Sequence, residues 1–353
     1  MVVWNLGIYA ILLHLMTAKI RILPSGREFQ AGPHETLLEG ALRAGISIPY
    51  SCNSGVCGEC KARLVSGHLA PGCVPDYQFS AAEKAANYFL ACRACTLEDL
   101  EIEVHEAGGA EDMPLQRIET RVVKIEQLHP DVMVVHLRTP RSQSLRFLAG
   151  QHATLEIPGL PPRNKSIASC PCNAMNLQFH IRRAPGDPFA EYCFSALKAN
   201  QTVMLTGPSG HFAFDDDAKE EVIFLAYDTG FAPIKSLIEH AISLEYAQPI
   251  HLYWVASRAG DHYLENLCRS WLDALDNFSF TPLLDEGAGS SPFSDTEIGQ
   301  LLGAQRIVVD HPDLSHCRIY MTGPEHAVPE TRALLLEHGL PDAQLHIDSF
   351  LRY

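Results

Sequence analysis

Cys52-Asn53-Ser54-Gly55-Val56-Cys57-Gly58-Glu59-Cys60 is the stretch that decides how this chain is read. Its C-x4-C-x2-C spacing is that of a loop wrapped round a 2Fe-2S cluster, which takes a fourth thiolate from further along the chain. Wrapping demands close backbone approach to inorganic sulfide, and Gly55 and Gly58 allow it because they carry no Cβ. Cys92 is the preferred fourth ligand, since Tyr88-Phe89-Leu90-Ala91 before it is strand-like and could return it to the loop. Cys95 and Cys73 are competitors for that role. Zinc is the alternative metal, but structural zinc favours paired C-x2-C knuckles, which the x4 interval fits poorly.

Eleven cysteines in 353 residues is an odd count with close, unequal spacings, which suits metal better than disulfides and points to a reducing, cytoplasmic setting. A chain 46% hydrophobic and 20% charged is a folded soluble protein, not a disordered, collagen-like or multi-span membrane chain. The formal charge of -15 argues against nucleic acid as a partner, because phosphate contacts need a basic face. Residues 216–353 carry most of the excess, 8 basic against 22 acidic side chains, and read as a solvated acidic surface. Val2 to Leu15 form an apolar run too short to span a bilayer, which needs about 20 residues, and the first lysine is Lys19, too late for a secretory leader. Residues 1–17 are therefore read as an apolar extension or a mis-assigned start, with Met16 the preferred initiator and a membrane-surface anchor the minority reading.

Three segments follow. In residues 18–106, Ile20 and Ile22 alternate with polar residues, Pro24-Ser25-Gly26 supplies a turn, and Arg27 to Gln30 return as a second strand. Leu37, Leu38, Ala41 and Leu42 then recur at helical spacing, with Gly45 placed to end the helix. Leu100, Ile102 and Val104 alternate as a closing strand. Residues 107–115 read as a linker, and 116–215 as a small antiparallel barrel of short strands with one helix near Phe189 to Lys198. In residues 216–353, apolar runs at 222–226, 250–255, 278–283, 318–321 and 344–347 alternate with helical patterns, which implies a parallel sheet.

With the cysteine set in place, residues 18–104 resemble a plant-type ferredoxin of the α+β, β-grasp class. The order ferredoxin, antiparallel β-barrel, α/β parallel-sheet domain is similar to the NADH-dependent reductase components of bacterial oxygenases and to CDP-6-deoxy-glucoseen reductases. The resemblance implies an oxidoreductase that carries a 2Fe-2S cluster on Cys52, Cys57, Cys60 and Cys92, FAD on the barrel and NADH, in preference to NADPH, on the last domain. It also implies an electron-accepting metalloprotein partner, an oxygenase or dehydratase component. The remaining cysteines, including Cys170, Cys172, Cys193, Cys268 and Cys317, are read as small buried hydrophobes.

The same resemblance assigns the organic cofactors. Its Arg-x-Tyr-Ser flavin motif falls on Arg163-Asn164-Lys165-Ser166, with Arg163 toward the FAD pyrophosphate, Ser166 at the flavin ring near N5, and Lys165 in place of the stacking Tyr. Gly207 and Gly210 belong to its G-P-x-G-x-F segment. Pro185 and Gly186 belong to a second phosphate-contacting stretch, in which Asp187 and Ala190 replace Gly and Ser. Its Gly-Gly-Thr-Gly turn, which receives the NADH phosphates, reads Tyr227-Asp228-Thr229-Gly230 with Pro233 beyond; Asp228 would there set an anion against anionic phosphate and weaken binding. Thr322, before Gly323 and Pro324, stands where a Cys borders the nicotinamide, and Phe350 is a ring neighbour of the flavin. Ser257-Arg258 could receive a 2′-phosphate. The rival reading, drawn from the altered motifs, is an electron carrier whose flavin and nucleotide module has become a structural scaffold.

Overall fold

The computed structural model describes residues 17–33, 35–44, 46, 48–49, 55, 58, 60–70, 79–104, 113–184, 186–285 and 301–350. In β1 (Ala18–Leu23), buried Ala18, Ile20 and Ile22 alternate with exposed Lys19 and Arg21, the period of a strand with one face on a core. It pairs antiparallel with β2 (Glu28–Ala31). Helix α1 (Leu37–Arg43) begins at Thr36, whose hydroxyl accepts the Glu39 N–H while the Glu39 carboxylate accepts the Thr36 N–H. It buries Leu37, Leu38 and Ala41, and Gly40 lets it approach the sheet: a Cβ there would stand 3.1 Å from the Phe29 ring. β3 (Lys61–Ser66), the short α2 (Ala81–Ala85), β4 (Tyr88–Leu90) and β5 (Leu100–Glu103) complete a sheet of order β2-β1-β5-β3-β4, with β1 and β5 parallel at its centre. This is a β-grasp. The run at 1–16 and Gly45 lie outside the described residues.

The barrel is formed by β6 (Gln116–His129), β7 (Val132–Arg138), β8 (His152–Glu156), β9 (Arg163–Ser166), β10 (Asn176–Arg182) and β11 (Thr202–Ser209), in the order β10-β7-β6-β11-β8-β9. A bridge from Ile167 to Phe179 brings its two edges together, which removes most of the open strand edge. Helix α3 (Pro188–Ser195) buries Phe189, Ala190 and Cys193 in the barrel core beside Leu177 and Phe179.

The last segment alternates β12 (Glu221–Tyr227), α4 (Phe231–Ser243), β13 (Ile250–Ala256), α5 (Glu265–Ala274), β14 (Phe278–Leu284), α6 (Leu302–Asp310), β15 (Cys317–Pro324), α7 (Val328–Glu337) and β16 (Leu345–Phe350). All five strands are parallel, in the order β14-β13-β12-β15-β16. Both faces of β12 are buried: Val222, Phe224 and Ala226 pack with Ile234, Leu237 and Trp271, whereas Ile223, Leu225 and Tyr227 pack with Ala304, Ile307 and Leu335. The strand order reverses between β12 and β15, and the crevice at the carboxyl ends of two such strands is where open α/β sheets receive ligands. Among the described residues, no helix is long and apolar enough to cross a membrane.

The cysteines outside the 52–92 set divide. Cys193, Cys268 and Cys317 are buried, as small hydrophobes would be. Cys170 is also buried, but Cys172 is exposed and joined to it in a disulfide, against the expectation from sequence. The 3-10 turn at Pro171–Asn173 folds the two back on one another, with Cα atoms 5.2 Å apart, a proximity that spacing alone does not reveal.

Candidate active site and metal centre

Cys60 leads directly into β3 and Cys92 stands two residues past β4, and the pairing of Lys61 with Leu90 carries on to set Cys60 opposite Ala91, the residue before Cys92. The Ala91 N–H donates to the Cys60 carbonyl at 2.9 Å, and both cysteines are buried. The N-terminus of α1 fixes the same segment, with Leu38 N–H donating to Ala91 O and Leu37 N–H to Ala94 O. Gly55 and Gly58 have φ of +81° and +77°, the left-handed region that a side chain disfavours, so both glycines are demanded by the backbone. Cys95 is half-buried, and its carbonyl accepts the Ala70 N–H. Cys52, Cys57 and Cys73 lie outside the described residues. A buried pair of cysteines beside a loop with two left-handed glycines fits an iron-sulfur cluster, whose sulfides need close backbone amides.

At the flavin strand, β9 pairs with β8 so that Ser166 lies opposite His152 and Lys165 opposite Ala153. Arg163 is engaged with Asp187: its Nε and Nη2 lie 3.1 and 3.0 Å from Asp187 Oδ1, which also accepts the Phe189 N–H at 3.1 Å as the cap of α3. Lys165 is half-buried; loss of solvent pulls its pKa below the ordinary lysine value, while the nearby Asp187 opposes that shift. Gly186 has φ +80° and open space where a Cβ would stand, and Pro185 lies outside the described residues. Gly207 packs against β8, and Gly210, at φ +97°, leaves room for the His152 ring, since a Cβ would stand 2.9 Å from its Nδ1. Burial also lowers the pKa of His152. Sequence reasoning passed over this histidine because it sits in no motif; its place across from Ser166 appears only once β8 and β9 are in register. The donors present, a guanidinium, an ammonium, a helix N-terminus and a serine hydroxyl, fit a flavin dinucleotide, with Asp187 the one anion among them.

At the nucleotide turn the expected obstruction is absent. Tyr227 continues the alternation of β12 and buries its ring on the α6 face: a Cβ on Gly323 would stand 2.9 Å from its Cδ2. Asp228 has φ +48°, which turns its carboxylate inward; Oδ1 accepts the Ser257 N–H at 2.9 Å and Oδ2 the Ser257 hydroxyl at 2.6 Å. The expectation that Asp228 opposes the phosphates is therefore corrected, because this carboxylate is a buried bracket between β12 and β13. Thr229 and Gly230 complete the turn into α4, whose first turn holds the buried Pro233. Thr322 is buried, and its hydroxyl donates to the Gly230 carbonyl at 2.8 Å, tying the end of β15 to the turn. Gly323 and Pro324 end β15, where Pro324 pairs with the Phe350 backbone; the Phe350 side chain lies outside the described part. Asp348 lies opposite Thr322, and burial pushes its carboxyl up to about 6.

The barrel and the sheet meet at these turns. Lys235 and Ser236 of α4 donate to the carbonyls of Ala168 and Ser169, two and three residues past Ser166, at 2.9 and 2.7 Å. Arg258 is held by Asp131 of the barrel and by Asp261, and Arg182 of β10 reaches to 3.8 Å from Asp228. Among the described residues, His129, Asp131 and Asp261 and, separately, Glu221, His311 and Cys317 have donor atoms close enough to share a cation. The first group is already neutralised by the two arginines.

Comparison with known proteins agrees with this architecture. Residues 20–97 match the 2Fe-2S iron-sulfur cluster binding domain, and residues 119–214 match the oxidoreductase FAD-binding domain. The chain is 31% identical over 342 residues to the reductase component of propane 2-monooxygenase from Gordonia sp. (strain TY-5), covering 95% of this chain and 97% of that one. It is 29% identical over 337 residues to the CDP-6-deoxy-L-threo-D-glycero-4-hexulose-3-dehydrase reductase of Yersinia pestis, covering 95% and 99% of the two chains. The crystal structure of the Amycolatopsis cytochrome P450 reductase GcoB superposes with a TM-score of 0.60 at 27% identity, over 95% of this chain and 99% of that one. With its cysteine pair, its flavin strand and its nucleotide turn in one chain, the protein belongs to the family of NAD(P)H-dependent iron-sulfur flavoprotein reductases, electron-transfer oxidoreductases that join a 2Fe-2S ferredoxin domain to an FAD-binding barrel and a nucleotide-binding sheet.

Proposed function

We propose that this chain takes electrons from NADH and delivers them, through FAD and its 2Fe-2S cluster, to a separate oxygenase or dehydratase component in the cytoplasm. The observation that supports this reading best is the connection from flavin strand to nucleotide turn: Ser166 runs into Ala168 and Ser169, which α4 holds, and α4 begins at Gly230, which Thr322 holds. When bound, FAD supplies the conversion of a two-electron donor to one-electron transfers and the cluster supplies the one-electron relay. The residues of the chain bind and orient. Cys60 and Cys92, with Cys52 and Cys57, are the cluster ligands; Ser166 faces the flavin ring, and Arg163 and Gly186 receive the pyrophosphate, with Gly207 and Gly210 shaping that wall and Pro185 assigned to the same stretch by the motif alone. The turn at Thr229, Gly230 and Pro233, with Thr322, Gly323 and Pro324, receives the nucleotide at the N-terminus of α4, whose dipole favours phosphate. By its position in the family's closing acidic-aromatic segment, Phe350 is assigned as the flavin's ring neighbour. Arg258, the candidate for a 2′-phosphate, is held between Asp131 and Asp261, carboxylates that oppose a further phosphate, which favours NADH. We set the domains at 18–106, 116–215 and 216–353.

Anaerobic mixing of iron-loaded protein with NADH should bleach flavin and then cluster absorbance, and an NADH-inert protein would return the rival scaffold reading. Cys92→Ser should abolish cluster absorbance and bound iron, while Cys95→Ser should keep both; the reverse result would move the fourth ligand to Cys95.

A further inference from the structure

The Arg163 fork has its anion already. One carboxylate oxygen of the buried Asp187, Oδ1, accepts the Arg163 Nε–H and the Phe189 N–H at the mouth of α3, with Arg163 Nη2 at an ion-pair distance of 3.0 Å. A planar cation and a helix N-terminus are the donors that hold a phosphate oxygen, so the carboxylate sits in a phosphate's surroundings. Lys165 stands close enough for Asp187 to support its charge. The carboxylate neutralises the Arg163 guanidinium that the motif assigns to the pyrophosphate; without it that cation would be free to meet the phosphates. Open space on the Cβ side of Gly186, immediately before Asp187, gives a ligand room beside the carboxylate.

We propose that Asp187 is an internal stand-in for the flavin pyrophosphate, which FAD must displace from Arg163, so that this chain holds FAD weakly and exchangeably. The proposal rests on the reading that Arg163 receives that pyrophosphate. Asp187 acts on affinity and on exchange, and it specifies a chain that loads when FAD is plentiful and loses it on dilution.

The test is equilibrium titration of the flavin-stripped full chain with FAD and, separately, with riboflavin, which has the ring and no phosphate, followed by flavin absorbance and fluorescence. Asp187→Ser keeps a capping oxygen on α3 and removes the charge; Asp187→Asn keeps the shape. Both variants should bind FAD about tenfold more tightly than the parent, the size of one charge-assisted hydrogen bond, with riboflavin affinity unchanged. FAD should also stay with the variants through gel filtration that strips it from the parent. FAD affinity equal to or below the parent's in both variants would overturn the proposal and leave the FAD reading intact, as would equal tightening of riboflavin. Saturable riboflavin binding with no gain from the phosphates in any form would overturn the assignment of Arg163 and the proposal with it.

Discussion

The flavin strand and the nucleotide turn each place an aspartate just ahead of a helix, and the two carboxylates point in opposite senses. Asp187 caps α3 from an extended conformation, φ -89° and ψ 101°, which directs its side chain back over the helix mouth and onto Arg163. Asp228 has φ +48°, and the left-handed backbone throws its side chain away from α4 and into Ser257. Residue type and charge are the same in both. The sign of one dihedral decides whether the anion meets an incoming phosphate or braces two strands, which is why a charge placed in a phosphate-binding motif is not by itself an argument for lost binding.

Asp228 is where the contrast breaks most severely. Asp228→Ala removes two hydrogen bonds to a buried carboxylate and one of the acidic neighbours of Arg182, and should cost about 3 kcal/mol of stability in urea unfolding. Asp228→Gly would relieve the left-handed backbone while losing the same bonds, so it should also destabilise and should not tighten NADH. Tighter NADH binding in a stable Asp228→Gly protein would show that the carboxylate faces the nucleotide after all.

A third carboxylate, Asp348 on β16, sharpens the comparison because burial alone accounts for its shift, to about 6 from an ordinary value of 3.8. A carboxyl raised in the folded state takes up its proton more readily there than in the unfolded chain. Its effect on stability is therefore absent below about pH 4, grows unfavourable between about pH 4 and pH 6, and is constant above that. The difference in unfolding free energy between the parent and Asp348→Asn should change by about 2 kcal/mol between pH 4 and pH 7, with the parent losing ground as pH rises. A difference that does not vary with pH would mean that Asp348 is solvated.

What the sequence made legible follows from how each feature is encoded. The cysteine spacing and the alternation of Ile20 and Ile22 are local and periodic, so the 2Fe-2S domain and its sheet are legible in the sequence, as are the five parallel strands. Ile223, Leu225 and Tyr227 share one face of β12, so the alternation assigns Tyr227 to the strand, whereas its place in the Gly-Gly-Thr-Gly position assigns it to a turn. The direction of Asp228 was not legible, because no spacing encodes a positive φ at a non-glycine residue. His152 and Cys172 escaped for a related reason: each matters through a partner, Ser166 across a strand pair and Cys170 across a tight turn, that only the folded chain supplies.

The smallest expected effect separates the two roles that Asp187 combines. As a cap it stabilises α3, and Asp187→Ala should cost about 1 kcal/mol, whereas Asp187→Ser should cost a few tenths. As an anion it faces Arg163 and Lys165, and both substitutions remove that charge equally. Stability should therefore distinguish Ala from Ser while the gain in FAD affinity does not. If affinity instead follows stability across the two variants, the carboxylate acts on the flavin only by holding α3 in place.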